Sequence, residues 1–307
     1  DRRQRQMCIR DRMKKKKYMI LCVAGQSNAV GYDESVISQD YLEQFHTERI
    51  RQLGLYGEDN LKLIPLGACA QSYQDLRPFS NPANSEPNLG TKGIQLPLAD
   101  LLLPYIPEDY DIVVLSCAYG GTGFTVGDPG VYNTGEKRPE PGILSWGAES
   151  PYYYGMKDRI RYLLNLAEEN QFLGVVWIQG EHDHADAKGQ KAGFEKMTED
   201  FFRTMHREYP HRVYRGDWNR DIWFNVETVS YWYTVGECPQ IWDNYRGWNE
   251  KTYVDIPRTV DSNEVNGTGA TAAIRGAHFG NDAFVREVAP RTLKKMVESW
   301  GQQSIRK

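Results

Sequence analysis

The chain has 307 residues, 40% of them hydrophobic and 25% charged, with a formal net charge of −4. Such a length and apolar content can fill one large core, and no Gly/Ser/Pro-rich linker or internal repeat divides the chain. The acidic balance argues against a nucleic-acid partner, which needs clustered Lys and Arg, and no apolar run approaches the roughly 20 residues of a membrane span.

Residues 1–12 show no hydrophobic period and precede Met13 and a basic run at 14–17. The stretch 6–12 resembles the translation of a sequencing-library adapter, so we read 1–12 as an artefact and 13–307 as a single domain. The twelve residues carry five Arg and two Asp, and without them the chain is three charges more negative, at −7. The basic run before an apolar stretch imitates a signal peptide. Cleavage there would remove the first motif described below, and no small-x-small site precedes a separate domain. A soluble protein is expected; the residues do not distinguish a cytoplasmic, periplasmic or phage-associated location, nor an oligomeric state.

The first predicted strand, 19–23, is Met-Ile-Leu-Cys-Val, with the composition of a parallel strand buried on both faces. It empties into Ala24-Gly25-Gln26-Ser27-Asn28-Ala29. Ligands bind at this edge of open α/β sheets, and a small-residue turn there projects the Ser27 hydroxyl while the Ser27 N–H points at whatever that hydroxyl attacks. A second strand is predicted at 61–66 and a helix at 93–103. The strand at 112–117 runs into Tyr119-Gly120-Gly121-Thr122-Gly123, whose glycines let backbone N–H groups approach a ligand closely, as an oxyanion donor must.

A helix is expected at 156–170 and a strand at 173–178. That strand ends in Trp177-Ile178-Gln179-Gly180-Glu181-His182-Asp183, where the Gln179 amide can donate to a developing oxyanion and Glu181 can accept from an imidazole. A long helix follows at 189–209 and a strand at 222–226. His278 lies in a loop just before a final helix at 282–300, whose Val285, Val288, Leu293, Met296 and Trp300 fall near one stripe, with Asn281 or Asp282 able to cap it. Alternation of this kind makes βαβ units around a parallel sheet. The segments 119–154 and 242–272 lack periodicity and read as long substrate loops.

Cys22 and Cys117 sit inside strands and read as reduced core residues; no CxxC or HExxH spacing occurs, so a metal is not expected, and chemistry by the hydroxyl, amide and imidazole read above needs no cofactor. His182, Asp183, His184 and Asp186 match no standard metal spacing and read as solvated loop residues. Trp146, Tyr152, Tyr153, Trp232, Tyr233, Trp242 and Trp248 could stack on sugar rings, although in a chain this aromatic most should be packed.

Gly25-Gln26-Ser27-Asn28, Gly120-Gly121-Thr122, Trp177-Ile178-Gln179-Gly180-Glu181 and His278-Phe279, in that order, resemble the blocks of the carbohydrate-esterase branch of the SGNH hydrolases, which includes acetylxylan esterases and sialate O-acetylesterases. The resemblance spans nearly all of 18–300, and several segments are closer still to bacterial sialate 9-O-acetylesterases. It implies a three-layer αβα (flavodoxin-like) fold and acyl transfer through an acetyl-enzyme, with Ser27 as nucleophile, His278 as base, and an oxyanion hole from Ser27, Gly120 or Gly121, and Gln179. Many SGNH hydrolases carry Asp three residues before the catalytic His. Here that residue is Arg275, so either Glu181 or a backbone carbonyl would orient His278. Arg275 itself suits the carboxylate of a sialic acid. An acetylated polysaccharide as substrate, or a non-catalytic glycan-binding module on the same fold, are the alternatives.

Overall fold

The computed structural model describes residues 16–31, 39–55, 59–66, 92–125, 145–229, 232, 239–257 and 278–303. Its centre is a seven-stranded sheet of β1 (Lys17–Gly25), β2 (Ile50–Leu53), β3 (Leu63–Pro65), β4 (Tyr110–Ala118), β5 (Gln171–Ile178), β6 (Trp223–Val226) and β7 (Tyr253–Val254), in the order β3-β2-β4-β1-β5-β6-β7. All neighbours pair in parallel except β3, which runs antiparallel to β2 at one edge.

The two faces of β1 explain its unbroken apolar run. Met19, Leu21 and Val23 pack on one face with Leu98 and Leu102 of α2 (Gln95–Leu102) and Met296 and Trp300 of α6 (Ala289–Gln303). Ile20, Cys22 and Ala24 pack on the other with Ile160 of α3 (Pro151–Asn165), Phe201 of α4 (Ala187–Glu208) and Trp248 of α5 (Pro239–Trp248). A strand with helices on both sides has no face left for polar residues. The three-layer αβα fold expected from the sequence is the one observed. Cys22 and Cys117 are buried and unbridged.

Three expectations need correction. The segment 242–272 is not one long loop, because α5 and β7 occupy part of it. Ile241, Trp242, Tyr245 and Trp248 make a helical stripe that buries against the sheet. Helix α3 begins at Pro151, capped by the Ser150 side chain accepting from the Tyr152 N–H, and it ends at Asn165. The last helical segment follows Gly280 with no side-chain cap, and a π-helical stretch, Phe284–Val288, precedes α6.

Candidate active site

β1 lies at the middle of the sheet; the chain leaving it crosses to β2 on one side, whereas the chain leaving β5 crosses to β6 on the other. Divergence of this kind opens a crevice at the strands' carboxyl ends. Ser27 follows β1 there, Gly120 and Gly121 follow β4, Gln179 and Glu181 follow β5, and Thr228 follows β6. Arg275 and Tyr233 lie outside the described residues.

Gly25 makes the turn after β1. Its φ is 132°, and a Cβ would stand 2.1 Å from the Ile178 carbonyl oxygen, so only glycine lets β1 end this close to β5. The Gln26 N–H then donates to that same carbonyl at 2.9 Å. Ser27 opens a single helical turn, α1 (Ser27–Val30), and is 6% exposed. Its hydroxyl makes no hydrogen bond among the described residues. At a helix start the first N–H groups lack carbonyl partners within the helix, which leaves the Ser27 N–H available to an incoming oxygen.

The glycine loop is held from two sides. Trp146 Nε1 donates to the Gly25 carbonyl at 3.3 Å and to Thr122 Oγ1 at 3.1 Å, linking the nucleophile turn to the loop after β4. The Thr122 hydroxyl in turn donates to the Tyr119 carbonyl at 2.7 Å. On the other side stands Asp183, fully buried, whose carboxylate accepts from the N–H groups of Phe124 and Thr125, from Thr125 Oγ1 and from Gln179 Nε2. Burial holds the Asp183 carboxyl above its ordinary range, against the pull of these bonds. Asp183 is therefore a structural carboxylate and not the solvated loop residue expected from the sequence. Asp186 caps α4, accepting from the Gly189 N–H at 2.8 Å.

Gln179 Nε2 lies 2.6 Å from Asp183 Oδ2, and its other contacts are long, 3.4 Å to Gln26 Oε1 and 3.5 Å to the Thr122 carbonyl. Gln26 Oε1 also accepts from the Gly180 N–H, while Gln26 Nε2 meets His182 Nδ1 at 2.8 Å.

Glu181 was a candidate to orient His278 directly. Its Oε1 instead accepts from Asn28 Nδ2 at 2.8 Å and Thr228 Oγ1 at 2.6 Å, and no hydrogen bond joins it to His278. Oε2 has no hydrogen-bond partner among the described residues, and burial raises the carboxyl above its usual value of 4.5 despite the Thr228 and Asn28 bonds. The Asn28 side chain completes the link, its Oδ1 accepting from the Phe279 N–H at 3.0 Å. Glu181 thus reaches the segment carrying His278 through Asn28. His278 is 6% exposed.

Most of the aromatics are packed. Trp146, Tyr153, Trp242 and Trp248 are buried, and Tyr152 stacks on Tyr119 with ring centroids 3.9 Å apart.

Ser27 thus leaves a central strand beside the glycine loop that follows β4, and the bond from the Phe279 N–H to Asn28 ties the segment carrying His278 back to the same turn. No protein-family profile matches the chain. It is 32% identical over 230 residues, 70% of this chain and 68% of the relative, to a protein of Escherichia coli (strain K12) named probable 9-O-acetyl-N-acetylneuraminic acid deacetylase. The crystal structure of NanS superimposes with a TM-score of 0.72 at 27% identity, covering 94% of this chain and 99% of that one. The Arabidopsis thaliana protein AT4G34215 shares the fold, with a TM-score of 0.57 at 14% identity over 91% of this chain and 98% of its own. The chain belongs to the 9-O-acetyl-N-acetylneuraminic acid deacetylase family, and it is a carbohydrate esterase.

Proposed function

We propose that this enzyme removes O-acetyl groups from O-acetylated sialic acid by acyl transfer through Ser27. The observation that carries the substrate is the 32% identity to a relative whose name gives it that sugar. Ser27 Oγ attacks the acetyl carbonyl while His278 takes its proton. The tetrahedral oxyanion is met by the Ser27 N–H, by a Gly120 or Gly121 N–H, and by the N–H of Gln179 that Asp183 does not take. One such donor contributes about 3 kcal/mol of transition-state stabilisation. Collapse expels the sugar oxygen, which receives the proton from His278. Water, deprotonated by His278, then attacks the acetyl ester on Ser27, and acetate leaves with Ser27 restored.

The Asn28 bridge supports this pairing of Ser27 with His278, because it joins their two segments. Arg275, three residues before His278, would clamp the sugar carboxylate. Acetate release measured side by side on O-acetylated sialic acid and on acetylated xylan tests the reading. Preference for xylan would move the substrate to a neutral polysaccharide.

A further inference from the structure

Four side chains behind the site form a hydrogen-bonded row with a single direction. Trp177 Nε1 donates to the Tyr245 hydroxyl oxygen at 3.0 Å, Tyr245 donates to Gln179 Oε1, and Gln179 Nε2 donates to Asp183 Oδ2 at 2.6 Å. All four residues are buried, at most 1% exposed. An indole N–H can only donate and a carboxylate can only accept, so the two ends set the sense of the middle. Turning the amide over would set its oxygen against the Asp183 carboxylate, acceptor against acceptor with no proton between them. The Gln179 amide is therefore held in one orientation, with one N–H taken by Asp183 and the other meeting only the two long contacts to Gln26 and Thr122.

We propose that Tyr245 is a positioning residue for catalysis: by fixing the Gln179 amide oxygen, it aims the second Gln179 N–H at the oxyanion. Tyr245 sits on α5, a helix whose stripe faces the sheet, and its hydroxyl meets the Gln179 amide oxygen. The inference rests on the proposed esterase mechanism, in which Gln179 is one of the oxyanion donors. Donors at an oxyanion hole act in the transition state far more than in the ground state, so a donor that loses its aim should lower kcat and leave KM nearly unchanged.

The test is a double-mutant cycle on the full chain, with kcat and KM for an aryl acetate and the melting temperature measured for the parent, Tyr245→Phe, Gln179→Ala and the double variant. Tyr245→Phe deletes one oxygen and keeps the ring that packs edge-on against Phe194. We expect it to lower kcat about tenfold in the parent and less than twofold in the Gln179→Ala background, with KM steady. An equal loss in both backgrounds, or a loss matched by a fall in melting temperature alone, would make Tyr245 structural and overturn the inference. Unchanged kcat in Gln179→Ala overturns it whatever Tyr245→Phe does. A parent that hydrolyses no acetate ester overturns the esterase reading, and this inference falls with it.

Discussion

The Asn28 side-chain oxygen accepts from the backbone N–H of Phe279 at 3.0 Å, across 251 positions of sequence, so the residue after the proposed nucleophile grips the residue after the proposed base. Its amide nitrogen meanwhile donates to the buried Glu181 carboxylate. A short side chain thus spans the outputs of β1 and β5 and the loop before the last helix. Arg275 stands where many SGNH hydrolases carry Asp, and the Asn28 bond ties the segment that begins at His278 to the turn after β1.

Ser27→Ala is expected to cut turnover of an aryl acetate by three or more orders of magnitude, since no covalent intermediate can form, while the melting temperature stays within a few degrees of the parent. Near-native turnover in this variant would remove Ser27 from the mechanism.

Asn28→Ala should damage both stability and rate. It leaves the buried Glu181 short of one donor and frees the Phe279 N–H, and each unsatisfied buried group costs about 1–3 kcal/mol. We expect kcat to fall by roughly tenfold to a hundredfold, in line with a loss of about 1–3 kcal/mol. Glu181→Gln should be mild, within about tenfold, because its amide oxygen still accepts from Asn28 and Thr228. Side-by-side kinetics decide the point: a Glu181→Gln variant as impaired as His278→Ala would mean that the carboxylate acts on the imidazole itself.

For Arg275→Ala the expected outcome is a split between substrates. On O-acetylated sialic acid kcat/KM should drop by roughly tenfold to a hundredfold, the contribution of a charge-assisted pair, and on a neutral aryl acetate it should hardly change. Equal losses on both would mark the arginine as structural and favour a neutral polysaccharide.

Acid stability should depend on Asp200. Burial pushes its carboxyl up, but hydrogen bonds from Tyr153, Lys157 and Arg203 outweigh this and bring it down to about 2, from an ordinary 3.8. A carboxyl depressed by folding stabilises the native state above its unfolded value and loses that contribution as pH falls through the folded one. Asp200→Asn should therefore lower the melting temperature at pH 7, and the difference from the parent should shrink below pH 3.8 and close near pH 2. A difference independent of pH would show that packing, and not charge, is what the variant disturbs.

Much of the architecture was legible in local sequence. The runs forming β1, β4 and β5 are apolar without alternation because helices cover both sheet faces, and each ends in glycine or polar residues because its end opens on the crevice. The residue types of the blocks at Ser27, Gly120, Gln179 and His278, taken with their order, point to acyl transfer. The short strands β2 and β7 left no such trace: four and two residues fit no periodic pattern, and they are strands because β4 and β6 offer them backbone partners. Helix α5 was hidden because the stretch from Trp242 onward shows little periodicity in sequence; the stripe of Ile241, Trp242, Tyr245 and Trp248 is defined by the sheet that buries it.

Asp183 shows the limit most plainly. In sequence it stands among histidines and acids like any exposed loop residue, but the fold buries it completely under the Phe124 and Thr125 amides, 59 and 58 positions away. The long-range bonds of Asn28, Tyr245 and Trp146 have the same origin. Residue type and local order determine which groups can do the chemistry; their orientation is decided by hydrogen bonds between distant segments, which form only when the sheet brings its strand ends together.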